Sequence, residues 1–504
     1  MQLSAATALS SLCPGLADQN SELCRKLSSD PLRPQYHLLP DHNWMNDPNG
    51  PIFYRGRYHM FHQYNPQAAV WGNMNWAHAV SDDMIHWQHE PIALSPTPGG
   101  PDQDGVFSGS AILDNGKPTV IYTGVQPPQG KGDATLNDGV HSWRETQCLA
   151  VAADDNLRTW KKLAQPVIAT PPAGLDVTGF RDPCLWRESG RWMLIVGSGI
   201  RGKGGAILLY SSPDLREWTY LHALVEGAPS GKTSTNPVDP GDMWECPDFF
   251  PIADKHVLLI STMGKVRWKV GTYKKQRFAA EKEGVVDWGS YYAAKTMLDR
   301  DGNRILWGWI PETRPDAELI AAGWAGAMSL PRVVSLNAAN ELQTEVAPVA
   351  QILRTKPETH LTGPVRQENL DRLRIRDLSA EIKLVLQPKS ESVTIRLQSQ
   401  SSEFVAIVIT EAAPGRQLRV GNFTAPLPGP AGSPIDFHLF LDGSVLEIFA
   451  QRTVAFTARV YRIPAGPLRL QLEGNAQLLA LDAWQMNSIS KDRLTASICA
   501  GPKQ

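Results

Sequence analysis

Residues 44–61 read Trp44-Met45-Asn46-Asp47-Pro48-Asn49-Gly50-Pro51-Ile52-Phe53-Tyr54-Arg55-Gly56-Arg57-Tyr58-His59-Met60-Phe61. An amide-rich stretch with one carboxylate, Asp47, runs into an apolar segment. A short turn with a glycine and a basic residue follows, then a second apolar, β-prone run. That order is a strand–turn–strand signal. It returns at Asp114-Asn115-Gly116-Lys117 before 119–122, and at Glu188-Ser189-Gly190-Arg191 before 192–196. It returns again at Ala253-Asp254-Lys255 before 257–260, and at Arg300-Asp301-Gly302-Asn303 before 305–309. A second marker lies between the hairpins. Asp83-Met84-Ile85-His86-Trp87, Asn156-Leu157-Arg158-Thr159-Trp160 and Asp214-Leu215-Arg216-Glu217-Trp218 share Asp or Asn, then Met or Leu, then Trp at fixed offsets. Five β-rich units at intervals of about 50–75 residues, with little helical periodicity, predict a five-bladed β-propeller.

The propeller is expected over 34–345, behind a loosely structured arm at 1–33. Residues 346–358 hold two prolines and read as a linker. Alternating apolar stretches follow at 380–386, 392–398, 404–409, 437–441, 445–449 and 468–472, with an Asp442-Gly443 hairpin turn. They predict an all-β second domain, a β-sandwich over 359–490 that packs against the propeller, with a tail at 491–504.

With 504 residues the chain can bury a large core, and its net charge of -2 offers no electrostatic footprint for nucleic acid. No run reaches the roughly 18 apolar residues of a membrane span. The six cysteines show no C-x-x-C pair, so neither a metal knot nor a disulfide scaffold is expected; whether Cys13 and Cys24 pair is open. Residues 1–17 are mildly apolar, but the first basic residue is Arg25, so the charged start of a secretory leader is missing. The compartment stays open, with a slight lean to the extracellular side, and so does the oligomeric state.

The repeat brings three acids into register. Asp47 and Glu245 stand nine positions before their turns and Asp182 stands eight before its own. That place belongs to the first strand of a blade, the strand that lines a propeller's channel. A proline follows each acid by one or two residues and forces the preceding residue toward extended backbone. The matching positions in units two and five are Phe107-Ser108 and Ala293. Carboxylates that converge repel, so one should keep its proton near neutral pH. Glycoside cleavage uses such a set: one carboxylate attacks, and one carboxylic acid protonates the leaving oxygen from about 5–5.5 Å away in retaining enzymes. Asn46, Gln63, Ser108 and Arg181 would hydrogen-bond a polyol, and Trp44, Trp71, Trp76 and Phe107 would offer flat faces. Clustered acids also bind Ca²⁺ or Mg²⁺, but neither an EF-hand loop nor H-E-x-x-H is present, and no metal is expected.

The tracts Trp44-Met45-Asn46-Asp47-Pro48-Asn49-Gly50, Arg181-Asp182-Pro183 and Glu245-Cys246 resemble the three signatures of glycoside hydrolase family 32. That family holds invertases, inulinases, levanases and fructan exohydrolases. The likeness continues through Phe107-Ser108-Gly109-Ser110, Tyr291-Tyr292-Ala293 and Gly323-Trp324-Ala325-Gly326 into Leu441-Asp442-Gly443-Ser444-Val445-Leu446-Glu447-Ile448-Phe449. It spans 35–487, and Trp244-Glu245-Cys246-Pro247-Asp248 with Ala69-Val70-Trp71-Gly72-Asn73 is most similar to the plant-type subgroup. The resemblance implies a propeller joined to a sandwich, retaining chemistry and no cofactor. It implies Asp47 as nucleophile, Glu245 as general acid/base and Asp182 as transition-state stabiliser. Asn46, Gln63, Trp71, Phe107, Ser108 and Arg181 would bind the terminal fructosyl ring. One departure stands out: plant-type sucrose cleavers tend to carry an acid with a nearby Lys or Arg after Glu-Cys, whereas Thr262-Met263-Gly264-Lys265-Val266-Arg267-Trp268 has no acid. The expected activity is release of β-D-fructofuranosyl units from sucrose or fructan ends. The alternatives are a fructan exohydrolase with little sucrose activity, a fructosyltransferase, a glycosidase for pentosyl polymers, and a sugar-binding propeller without catalysis.

Overall fold

A computed structural model describes residues 14–130, 133–365, 370, 373–400, 402–412 and 415–490. Five antiparallel sheets follow one another along the chain, and each starts with the strand the repeat points to. These innermost strands are Asn43–Tyr54, Gly105–Asp114, Val177–Glu188, Glu245–Ile252 and Tyr292–Leu298. They touch in sequence order, and the fifth touches the first, so the ring is closed. All five anticipated turns sit between a first and a second strand. Apolar side chains fill the five gaps between neighbouring blades, for example Met45, Met60 and Trp307 between blades five and one, and Trp192, Leu194 and Ile121 between two and three. Burying these clusters stabilises the ring at roughly 25 cal/mol per Å² of apolar surface.

Closure has its own device. Trp324–Ala325 adds to the first strand of blade one in parallel, and Ala327–Met328 pairs with Arg304–Ile310 of blade five. One short segment thus joins the last blade to the first. Gly326 between them has φ +81°, and a Cβ there would lie 2.0 Å from the Met45 carbonyl oxygen, so only glycine fits.

Every innermost strand also carries a register irregularity at one matched place. It falls between Met45 and Pro48, Val106 and Gly109, Arg181 and Cys184, Glu245 and Asp248, and Tyr292 and Lys295. A β-bulge leaves a residue unpaired and re-aims its side chain. Pro183 and Pro247 occupy two of these bulges, where a missing N–H costs no ladder bond, and Pro48 is the first paired residue after a third.

The second domain is a sandwich. A six-stranded sheet includes Ser379–Pro388, Ile435–Asp442 and Val445–Ala450; a five-stranded sheet includes Ser392–Ser399, Ser402–Ala412 and Arg469–Glu473. Alternate residues such as Ile382, Leu384, Ile395 and Leu397 point inward to a shared core. All six stretches read from the sequence are strands. Two other readings need correction. The arm holds a helix, Pro14–Ser29, whose Cys24 and Leu27 are buried against Trp324, Ile310 and Val445. The Cys13–Cys24 pairing lies outside the described residues, because Cys13 does. The stretch read as a linker is a 3-10 turn, Pro348–Leu353, followed by a strand from Arg354. Ala350 and Leu353 wedge into a core with Tyr36, Phe440 and Phe449, so apolar burial turns this connection into packed structure.

The two domains are joined by buried charges. Arg332 of blade five bonds Asp287 Oδ2 at 2.9 Å, and through Nε the sandwich's Glu447 Oε2 at 3.0 Å. His37 bridges Glu447 Oε1 at 2.9 Å and Asp442 Oδ2 at 2.8 Å. Burial opposes charge on His37, but hydrogen bonds from its ring to Asp442 and Glu447 outweigh that and raise it to about 9. Burial likewise opposes charge on Glu447, yet Arg332 and His37 hold it down at about 2. Removing one partner of such a network leaves an uncompensated buried charge. Arg332→Ala should therefore lose about 3–5 kcal/mol of stability, read as a lower midpoint in urea unfolding at neutral pH; an unchanged midpoint would contradict the interlock.

Candidate active site

The innermost strands open on one pocket of about 230 Å³, lined by Asp47, Asp182 and Glu245 together. Three acids 63 or more positions apart in the chain are therefore neighbours in space. Cys246 links two of them directly. Its thiol lies 3.4 Å from both Asp47 Oδ2 and Asp182 Oδ2, and its backbone N–H donates to Asp182 Oδ2 at 2.9 Å. Burial and the surrounding carboxylates push that thiol far up, so it stays protonated and donates.

Each acid has its own environment. Asp47 Oδ2 accepts from the Ser108 hydroxyl at 2.6 Å, and Oδ1 from the Asn46 amide at 3.0 Å. Burial raises its pKa; the bonds from Ser108 and Asn46 pull back against it. Asp182 sits at φ +65° in its bulge and its N–H donates to Thr123 Oγ1 at 2.9 Å. Burial pushes it up to about 7, with Arg181 lowering it and the charges of Glu245 and Asp47 raising it. Glu245 Oε1 accepts from Arg181 Nε at 3.0 Å and Nη2 at 2.9 Å, and Oε2 accepts from the Tyr292 hydroxyl at 2.7 Å. Arg181 is fixed from behind by buried Glu145, whose Oε1 accepts from Nη1 at 2.8 Å and whose Oε2 accepts the Phe180 N–H at 2.7 Å. Burial disfavours the guanidinium charge, but Glu145, Glu245 and Asp182 more than restore it.

Of the binding candidates, Asn46, Gln63, Trp71, Phe107, Ser108 and Arg181 all line the cavity. Gln63 is oriented by donating to the Val106 carbonyl at 3.0 Å. Trp71 is 40% exposed and stands edge-on to Phe107. Trp44 and Trp76 are corrections. Trp44 packs behind the wall against Trp309 and donates to Asn46 Oδ1 at 2.8 Å, so it orients a lining residue and does not line the cavity itself. Trp76 is fully buried, its indole N–H spent on the Phe107 carbonyl at 3.0 Å.

Sequence reasoning missed Tyr292, Trp309, Trp143 and His141, which also line the cavity. Tyr292 was findable, since it precedes the matched position Ala293. Trp309 Nε1 has no partner among the described residues and is a ready donor to a sugar. Trp143 and His141 stand on a hairpin inserted in blade two, where the repeat offers no register. The acid-free stretch 262–268 stays off the cavity wall, with Lys265 donating to the Gly289 carbonyl at 2.7 Å.

Comparison with known proteins agrees with this geometry. The model of the glycosyl hydrolases family 32 N-terminal domain matches residues 37–346, and that of the family 32 C-terminal domain matches 344–485. A sucrose-6-phosphate hydrolase of Escherichia coli is 34% identical over 86% of this chain and 90% of its own length. An insoluble β-fructofuranosidase of Arabidopsis thaliana is 36% identical over 67% of this chain and 60% of its own. The crystal structure of fructan 1-exohydrolase IIa from Cichorium intybus with 1-kestose superposes with a TM-score of 0.77 at 25% identity, covering 91% of this chain and 98% of that one. With both domains matched along most of its length and three carboxyls gathered at the centre of the ring, the chain belongs to glycosyl hydrolase family 32.

Proposed function

We propose that this protein is a retaining β-fructofuranosidase that releases terminal fructosyl units from sucrose, with fructan ends as further substrates. The observation that carries the reading is the meeting of Asp47, Asp182 and Glu245 in one pocket with donors for sugar hydroxyls around them. Family membership and the fructosyl-cleaving relatives support the class. In this reading the propeller, 34–345, is the catalytic unit and the sandwich, 359–490, braces it.

Asp47 attacks the anomeric carbon of the fructosyl ring as Glu245 gives its proton to the leaving oxygen. A fructosyl ester on Asp47 forms and the glycosidic bond breaks. Glu245, now a base, takes a proton from water, which attacks the same carbon and frees Asp47. Asp182 grips ring hydroxyls and strengthens that hold as the ring becomes cation-like. Ser108 and Cys246 on Oδ2 and Asn46 on Oδ1 aim the Asp47 oxygens, leaving one lone pair, on Oδ1, for attack. In the free site Arg181 grips Glu245 Oε1 and the Tyr292 hydroxyl donates to Oε2.

Fructan ends form a second reading, favoured by the wall position of blade four: no acid from 262–268 reaches the leaving side. Purified protein should liberate fructose from sucrose, and from inulin or levan at a rate that ranks the two readings; release from none of the three would overturn both. Asp47→Ala should cut kcat about 10⁴-fold or more with the fold retained, checked by steady-state rates beside circular dichroism; a fully active variant would remove the nucleophile.

The raised carboxyls set two pH dependences. The acid limb of kcat/KM should lie above the ordinary Asp range of about 3.9, because burial resists ionisation of Asp47. A profile still flat at pH 3 would contradict it. The folded-state pKa of Asp182, about 7, exceeds its unfolded value. Its contribution to stability is complete below about pH 4 and is lost as pH rises through about 7. Asp182→Asn should therefore melt higher than the native protein at pH 8 and show no such gain at pH 4.

A further inference from the structure

The carboxyls and Arg181 build the floor of the pocket; blade two builds part of its rim. The two-residue strand Leu136–Asn137 pairs back on Trp143 and Ser142, and a tight turn at 138–141 joins them. Asp138 Oδ1 accepts the N–H groups of Val140 at 2.9 Å and His141 at 2.7 Å, while Oδ2 lies 3.1 Å from His141 Nδ1. Gly139 takes φ +88°, and a Cβ there would come within 3.3 Å of Thr235. The turn therefore leans on the loop whose Asn236 and Pro237 line the same pocket. The His141 ring stacks on Trp143 at 4.4 Å and 23°, and meets half-exposed Trp71 at 5.1 Å and 60°. Neighbouring rings and a carboxylate thus hold the imidazole, and Nδ1 is occupied. Nε2 has no bond to the described residues and is left for a ligand.

We propose that the Asp138–His141 turn recognises the departing sugar: His141 Nε2 hydrogen-bonds one of its hydroxyls, while Trp71, which the resemblance assigned to the fructosyl ring, stands beside His141 and carries the departing sugar's apolar face instead. The inference rests on the fructosyl-hydrolase reading and names the leaving-group side of that site. With Nδ1–H donated to Asp138, Nε2 is an acceptor, which suits a sugar hydroxyl and not an apolar leaving group. A rigid acceptor costs little entropy to use, and a flat, half-exposed indole suits the C–H face of a sugar ring. The 262–268 stretch of blade four, the expected source of this contact, is turned away. Lys265 is committed to backbone carbonyls and no residue of 262–268 lines the pocket. His141 is a specificity-determining residue; the proton for the leaving oxygen still comes from Glu245.

The test compares sucrose with 4-nitrophenyl β-D-fructofuranoside, whose leaving group carries no sugar hydroxyl. His141→Ala should lower kcat/KM for sucrose about 10- to 100-fold, chiefly through KM, and change the aryl substrate less than about threefold. His141→Gln should recover part of the sucrose loss, and Asp138→Asn should reproduce part of it. Equal losses on both substrates, or none on sucrose, would overturn the assignment. So would a sucrose-selective loss from Arg267→Ala, which would return the leaving side to blade four. If His141→Ala fails to fold, the Gln and Asn variants decide by the same comparison. Native protein inert on both substrates would instead overturn the underlying activity.

Discussion

Arg181 is the charge around which this site is balanced. Its guanidinium lies between buried Glu145 and Glu245, with Asp182 beside it. Carboxyl groups gathered in a low-dielectric hollow cannot all ionise unaided. One fixed cation bonds Glu145 and Glu245 directly and also lowers Asp182, yet burial and the neighbouring carboxylates leave that acid raised. The excess of acids over cations therefore falls on Asp182, whose raised pKa is part of what makes the cluster costly to fold.

The cluster exists because the ring closes. Each innermost strand bulges at one matched place, and the bulge turns the residue there toward the centre. Were one blade to slip by a residue, its acid would face the opposite side of the sheet. The 324–328 segment pins blade five to blade one, and Arg332, Glu447, Asp442 and His37 pin the propeller to the sandwich. These elements lie away from the chemistry, yet they hold the aim of three side chains that local sequence could not bring together.

Much of this architecture was legible because it repeats. Turn chemistry such as Gly56 and Gly190 marked hairpins, and the offset from acid to turn survived translation into space. What escaped lacks a period. In the helix Pro14–Ser29, Cys24 and Leu27 are buried against Trp324 and Val445, partners no local reading could supply. Trp44 and Trp76 sat beside the right acid and were read as walls, but composition cannot say which face of a strand a ring takes. In blade one those indoles turn outward to brace Asn46 and the Phe107 carbonyl. Tyr292 and Trp309 reach the pocket from blade five, which carries no acid at the matched position, so no acid in that register marks them beside Asp47, Asp182 or Glu245.

The two sides of the pocket are built from different material. The fructosyl side rests on bulged strands at the centre, where a shift in one blade would disturb its neighbours. The leaving side rests on insertions: the 138–141 turn and the loop carrying Asn236 and Pro237. Loops at a propeller rim can change length without touching the ring's register. A fold built in this way can keep one bond-breaking arrangement while altering what is attached to the fructose. On the proposed reading the imidazole of blade two meets the departing group where the 262–268 hairpin of blade four does not reach, so recognition there rests on an Asp–His pair that the repeat itself does not encode.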